Sequence, residues 1–121
     1  MNSHIERYPH LYASPSYRAA SDDDIRAVVN GCGSARSKFD FVPDNLFGLS
    51  IEESCHRHDW GYDVGKTIED KEREDRIWLN NMLREIERGT RWMRRPRRWL
   101  ARRYYDAVRY YGGPAFWVGK E

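Results

Sequence analysis

The sequence predicts an all-α single domain built around two long antiparallel helices, with an additional C-terminal helix. Three observations predict it. Stretches 50–64 and 67–88 each open on a helix-start signal and run up to a glycine. Gly65-Lys66 between them allows only a short turn, which sets the two helices antiparallel. No convincing strand hairpin and no internal repeat is present. The 121 residues fit one domain, 1–121, and 40% apolar residues with 14% aromatics suffice for one core, which excludes a disordered chain. No run of about 18 apolar residues exists to form a membrane-spanning helix.

Taken in order, residues 1–20 hold Pro9, Pro15 and three tyrosines without periodicity, and read as an extended arm packed through Tyr8, Tyr12 and Tyr17. Met1–Arg7 lacks the apolar core of a signal peptide, so the compartment is left open between a virus- or phage-encoded protein, a fragment, and export by another route. Ser21 with Asp22, Asp23 and Asp24 caps a short helix ending at Val28 or Val29. Asn30-Gly31-Cys32-Gly33-Ser34 stops it, and the two glycines let a ligand approach the main chain. A loop with a turn at Pro43-Asp44-Asn45 runs to Leu49. Ser50 and Glu53 form the pattern of a capping box, opening a helix to about Val64. Thr67 and Asp70 form a second, opening the longest helix, from Ile68 to Arg88. Asp75, Leu79, Met82 and Ile86 share one stripe of it, with Trp78 and Leu83 beside. Residues 90–96 form a basic connector ending in Pro96, and a third helix follows from Arg97 to Tyr111. Tyr104, Ala107, Val108 and Tyr111 supply its apolar side, and Phe116 and Trp117 fold back on the core.

The chemistry concentrates on the helix of 50–64. Cys55, His58, Asp59 and Tyr62 follow the i, i+3, i+4, i+7 rule and share a face where aliphatic residues would be expected. A polar inner face costs stability unless partners satisfy it. Across the short turn, Asp75 can meet His58, and a carboxylate on one imidazole nitrogen fixes the tautomer so that the other can take a proton from water. Asp59 points elsewhere, toward the Gly31–Gly33 loop if Cys32 is joined to Cys55. Carboxylate and carbonyl oxygens are hard ligands that favour calcium, and the Gly33 N–H is placed to help hold an oxyanion. Each piece has a plainer reading: a helical His is most often structural, and an Asp in an apolar stripe is most often paired with a local Arg such as Arg76. Their joint arrangement is what singles them out.

The run Glu52-Glu53-Ser54-Cys55-His56-Arg57-His58-Asp59-Trp60-Gly61-Tyr62 resembles the signature of the phospholipase A2 superfamily: an acid, Cys, two residues, His-Asp, two residues, Tyr. Pro43–Gly48 before it and Tyr104–Tyr110 near the end are similar to the prokaryotic branch of that family. The resemblance covers about residues 30–82 and 104–117. It implies a phospholipase A2-like fold with a glycine-containing calcium loop, and hydrolysis of the sn-2 ester of glycerophospholipids. His58 is then the base, Asp75 its orienting carboxylate, and Tyr62 the support of that carboxylate. Asp59 is the bidentate calcium ligand, Gly31 and Gly33 offer carbonyls, and Asn30 or Ala35 supplies a further oxygen. Cys32 and Cys55 match the disulfide that ties loop to helix. The chain departs from the familiar secreted enzymes in its Cys32–Cys55 spacing, in Glu52 for Asp, and in Ala35-Arg36-Ser37-Lys38, which lacks their extra loop glycines.

Nine arginines between Arg84 and Arg103 form a basic stretch within a chain of net charge only +2. With Trp92 and Trp99 it suits docking on an anionic phospholipid surface, the partner expected here. Specific nucleic-acid binding by the same arginines is the lesser expectation. A weakly active or inactive member of the same fold that binds lipid or protein is the nearer rival. A zinc site using His56 and His58 is excluded, because residues two apart on a helix point roughly 200° apart.

Overall fold

The computed structural model describes residues 1–29, 42–117 and 120. Helices α1 (Ser3–Arg7), α2 (Pro15–Ala19) and α3 (Asp22–Val28) form the N-terminal arm. Strands β1 (Asn45–Leu46) and β2 (Leu49–Ser50) follow, then α4 (Glu52–Val64), α5 (Ile68–Arg88), α6 (Arg94–Tyr111) and α7 (Gly113–Trp117). All-α is the right class. Helix α5 packs on α4 along one side and on α6 along the other. Its start is the predicted capping box, Thr67 with Asp70, and Gly89 closes it. No helix among the described residues is long and apolar enough to cross a membrane.

The main core lies where α4, α5 and α6 meet: Ile51, Cys55, Tyr62, Trp78, Met82 and Val108 are buried there, closed at one end by Phe116 of α7. A second cluster, Tyr17, Ile25 and Trp60 with Ala13 and Ala20, lies between the arm and the opposite face of α4.

Several expectations are corrected. Residues 1–20 are not simply extended. Asn2 caps α1 and Ser14 caps α2, where Pro15 suits the first turn; helices of five residues show too little periodicity to be read from sequence. Of the three tyrosines, Tyr17 is buried but Tyr12 is exposed. A small hairpin does exist, with Asn45 opposite Ser50 and Leu46 opposite Leu49. Its turn residues Phe47 (φ 49°) and Gly48 (φ 88°) both have positive φ, as two-residue hairpin turns require. Arg97 and Tyr104 of α6 hold it, donating to the carbonyls of Leu46 (2.9 Å) and Asn45 (3.0 Å).

The capping box at Ser50 and Glu53 is absent. Ser50 belongs to β2, Ile51 is the N-cap, and Glu53 is buried in a charge network instead. There Arg57 spends all its donors: on Glu53 Oε2 (2.9 Å) and on the carbonyls of Leu11 (2.9 Å), Tyr12 (3.2 Å), His4 (3.1 Å) and Tyr8 (3.2 Å). Burial alone would raise the Glu53 pKa, but the neighbouring His56 imidazole and hydrogen bonds from His4, Arg57 and Tyr17 outweigh it and hold the carboxyl at about 2. One buried guanidinium thus fastens the arm to α4. Helix α6 begins at Arg94, three residues early, because Pro96 falls in the first turn, where its missing N–H has no intrahelical partner to lose. Tyr111, expected on the apolar side, is exposed at the helix end.

Candidate active site

Every member of the predicted polar face of α4 is buried: Cys55, His58, Asp59 and Tyr62 are at most 2% exposed. His58 and Asp75 meet as expected. The imidazole Nε2 lies 2.8 Å from Asp75 Oδ1, and the Tyr62 hydroxyl donates to the same oxygen at 2.6 Å. Residues 58 and 75 face each other, as do 62 and 71, which is the register of two antiparallel helices joined by a short turn. The carboxylate draws the imidazole proton to Nε2, so Nδ1 carries the lone pair.

Lys71 is the participant that sequence reasoning missed. It is buried, donates to Asp75 Oδ2 at 2.8 Å, and reaches the carbonyls of Arg109 (3.2 Å) and Val108 (3.4 Å) near the end of α6. Two signals for it were present: a lysine four residues before Asp75, and an α6 C-terminus able to receive a cation. Arg76, the local alternative partner, is exposed. Burial alone would push the Asp75 pKa up, but His58, Lys71 and Tyr62 outweigh it and hold the carboxyl below its ordinary value. The same burial and the Asp75 charge push the Tyr62 hydroxyl up, so it stays a donor.

The imidazole is also clamped through its faces. Trp78 stacks on it, with centroids 4.8 Å apart and planes at 23°, and Tyr62 lies 4.3 Å away. Gly61 lets α5 come close: a Cβ there would sit 2.2 Å from the Glu74 carboxylate. Burial raises the pKa of Glu74 in turn.

A consequence for Lys71 follows. Lys71→Met is expected to cost about 2–3 kcal/mol in urea unfolding, the range for a charge-assisted hydrogen bond lost from a buried partner. Because Asp75 titrates below its ordinary value, its contribution is fully present above the unfolded pKa and lost as pH falls through the folded one. Removing one of three donors raises the folded pKa, so acid unfolding of the variant, followed by circular dichroism, should begin at higher pH. An unmoved acid limb would mean that Lys71 serves only the α6 carbonyls.

The remaining predicted site residues, Gly31, Gly33, Asn30 and Ala35, lie outside the described residues, as does Cys32. Cys55 is buried, and no cysteine among the described residues is free. In comparisons with protein families, curated proteins and solved structures, nothing matches the chain.

Proposed function

We propose that the chain is a calcium-dependent hydrolase of the phospholipase A2 type, cleaving the sn-2 ester of glycerophospholipids. The observation that carries this reading is the buried His58–Asp75 pair, supported by Tyr62 and Lys71 across α4 and α5. In this reading Nδ1 of His58 removes a proton from a water that attacks the ester carbonyl carbon. Asp75 keeps the proton on Nε2 and stabilises the imidazolium that forms. Tyr62 and Lys71 keep Asp75 charged and fixed, and Trp78 keeps the ring from turning. Nδ1 then returns the proton to the departing alkoxide of the lysophospholipid.

Asp59, one residue along and equally buried, is the ligand of the expected calcium set that falls among the described residues. Its carboxylate is the hard oxygen donor that calcium takes. Bound calcium would supply positive charge for the carbonyl oxygen. The deciding experiment measures fatty-acid release from phospholipid vesicles with calcium and with chelator. Full activity under chelation would sink the calcium reading.

The proposed membrane partner draws support from the surface of 91–111, where Trp92 is 80% and Trp99 58% exposed. The arginines divide into two groups. Arg94 and Arg98 bond Glu87, and Arg97 holds the hairpin, so these are structural. Arg91, Arg95 and Arg102 are exposed and donate no hydrogen bond to another described residue. Replacing these three with Gln should weaken binding to anionic vesicles by about 3 kcal/mol, near one per charge, at low salt. Hydrolysis of a monomeric substrate should stay within about twofold. Unchanged vesicle binding in a sedimentation assay would make the patch an ordinary solvated face.

A further inference from the structure

His4, Glu53 and His56 come together where α1 crosses the start of α4, on the side of that helix away from Asp75. Their nearest donor atoms all lie within 4.8 Å of one another. His4 Nδ1 stands 2.7 Å from Glu53 Oε1, and His56 Nδ1 stands 3.5 Å from the same oxygen. That second separation is too long for a good hydrogen bond, and His56 Nδ1 is buried with no hydrogen-bond partner among the described residues. Buried polar atoms are rarely left so. It is, however, close to the spacing of two ligands on one small tetrahedral ion, about 3.3 Å for metal–ligand bonds near 2.0–2.1 Å.

We infer that His4, Glu53 and His56 form a binding site for a divalent transition metal of the zinc class, which staples the N-terminal arm to α4. The donor chemistry selects the metal: two imidazoles and one carboxylate suit zinc and its neighbours, whereas calcium and magnesium want oxygen throughout. Glu53 and His56 make a Glu-x-x-His pair on one helix face, a spacing that helical metal sites use. The carboxylate is already oriented, since its other oxygen accepts from Arg57 (2.9 Å) and from the Tyr17 hydroxyl (2.8 Å). Glu52 stands 3.6 Å from the second ring nitrogen of His56, where a carboxylate can steady a metal-bound imidazole. A cavity of about 310 Å³ borders both histidines, giving the ion an entry path and room for water as fourth ligand. On binding, the ion takes the place of the proton between His4 and Glu53, and that contact opens from 2.7 Å by about 0.6 Å.

The site is separate from Asp59 and stands whether or not the chain is a lipase. The test uses the full chain, stripped with chelator and then kept in excess calcium, titrated with zinc by calorimetry. One zinc per chain is expected, with affinity falling about tenfold or more in His4→Gln and in His56→Gln and unchanged in His10→Gln, whose partner is Glu85. Zinc at a hundred times its Kd should raise the wild-type Tm by about 5–10 °C. Should a variant fold poorly, imidazole NMR shifts of the wild type decide: zinc must move His4 and His56 and leave His10 and His58 in place. Absent zinc binding, or zinc that moves His58 instead, overturns the inference.

Discussion

His58→Asn is expected to reduce fatty-acid release by about a thousandfold or more. A general base contributes about 10²–10⁴-fold, and here nothing among the described residues stands ready to replace it. Asn fits the buried space but is shorter than the imidazole, so it gives up the Nε2 contact with Asp75 and has no nitrogen lone pair to offer water. The variant also loses the stacking on Trp78, so some stability goes with it. Activity must therefore be compared per folded molecule, below the variant's own Tm. Tyr62→Phe separates support from chemistry: it keeps the ring against Phe116 and removes only the hydroxyl that donates to Asp75. A loss of about tenfold is expected there, since Lys71 and His58 still hold the carboxylate. If His58→Asn kept a tenth of wild-type turnover, the hydrolase reading would fail whatever the geometry.

What was legible in the sequence depended on how local its cause was. Helix α5 could be bounded to the residue because Thr67, Asp70 and Gly89 act within one turn of its ends. The His58–Asp75 pair was legible for a related reason. Two helices joined by so short a turn have few registers, and only one brings the polar face of α4 to the single carboxylate on the stripe of α5. Lys71 was harder, because its second role depends on where α6 ends. Within the arm only α3, with its cap at Ser21, and the packing of Tyr17 were legible. Its other helices are too short to show a period, and its attachment depends on Arg57, a residue that reads in sequence as one more surface arginine.

The failed capping box has the same origin. Ser50 and Glu53 have the right spacing, and a cap is worth about 1 kcal/mol. Glu53 makes four side-chain contacts in the charge network instead, with His4, His56, Tyr17 and Arg57. In a buried setting those outweigh one capping bond. The exclusion of zinc between His56 and His58 was sound geometry, and it hid a different partner, since His4 reaches His56 only after the arm has folded back.

Arg57 carries the largest stability prediction. Arg57→Met keeps much of the aliphatic stem but removes every donor, leaving the Glu53 carboxylate without its closest counter-charge and four arm carbonyls without their guanidinium partner. Breaking a buried pair from one side costs about 3–5 kcal/mol, and a domain of this kind has only about 5–15 in total. Arg57→Lys should fall between, because an ammonium has three donors and no planar fork, so it can serve Glu53 and at most two of the four carbonyls. The loss should not be spread evenly. Amide protection should collapse along the arm before Tyr12, which Asn81 still holds through its N–H (2.8 Å) and carbonyl (3.1 Å), whereas no other described side chain clamps the Tyr8 backbone in this way. Protection along α5 should change little, because its packing on α6 does not involve the arm. Hydrogen exchange on the two variants separates these outcomes. A uniform loss over both regions would make Arg57 part of the global core, and a loss below about 1 kcal/mol would mean that the arm is held by Tyr17 and Ile25 rather than by its one buried guanidinium.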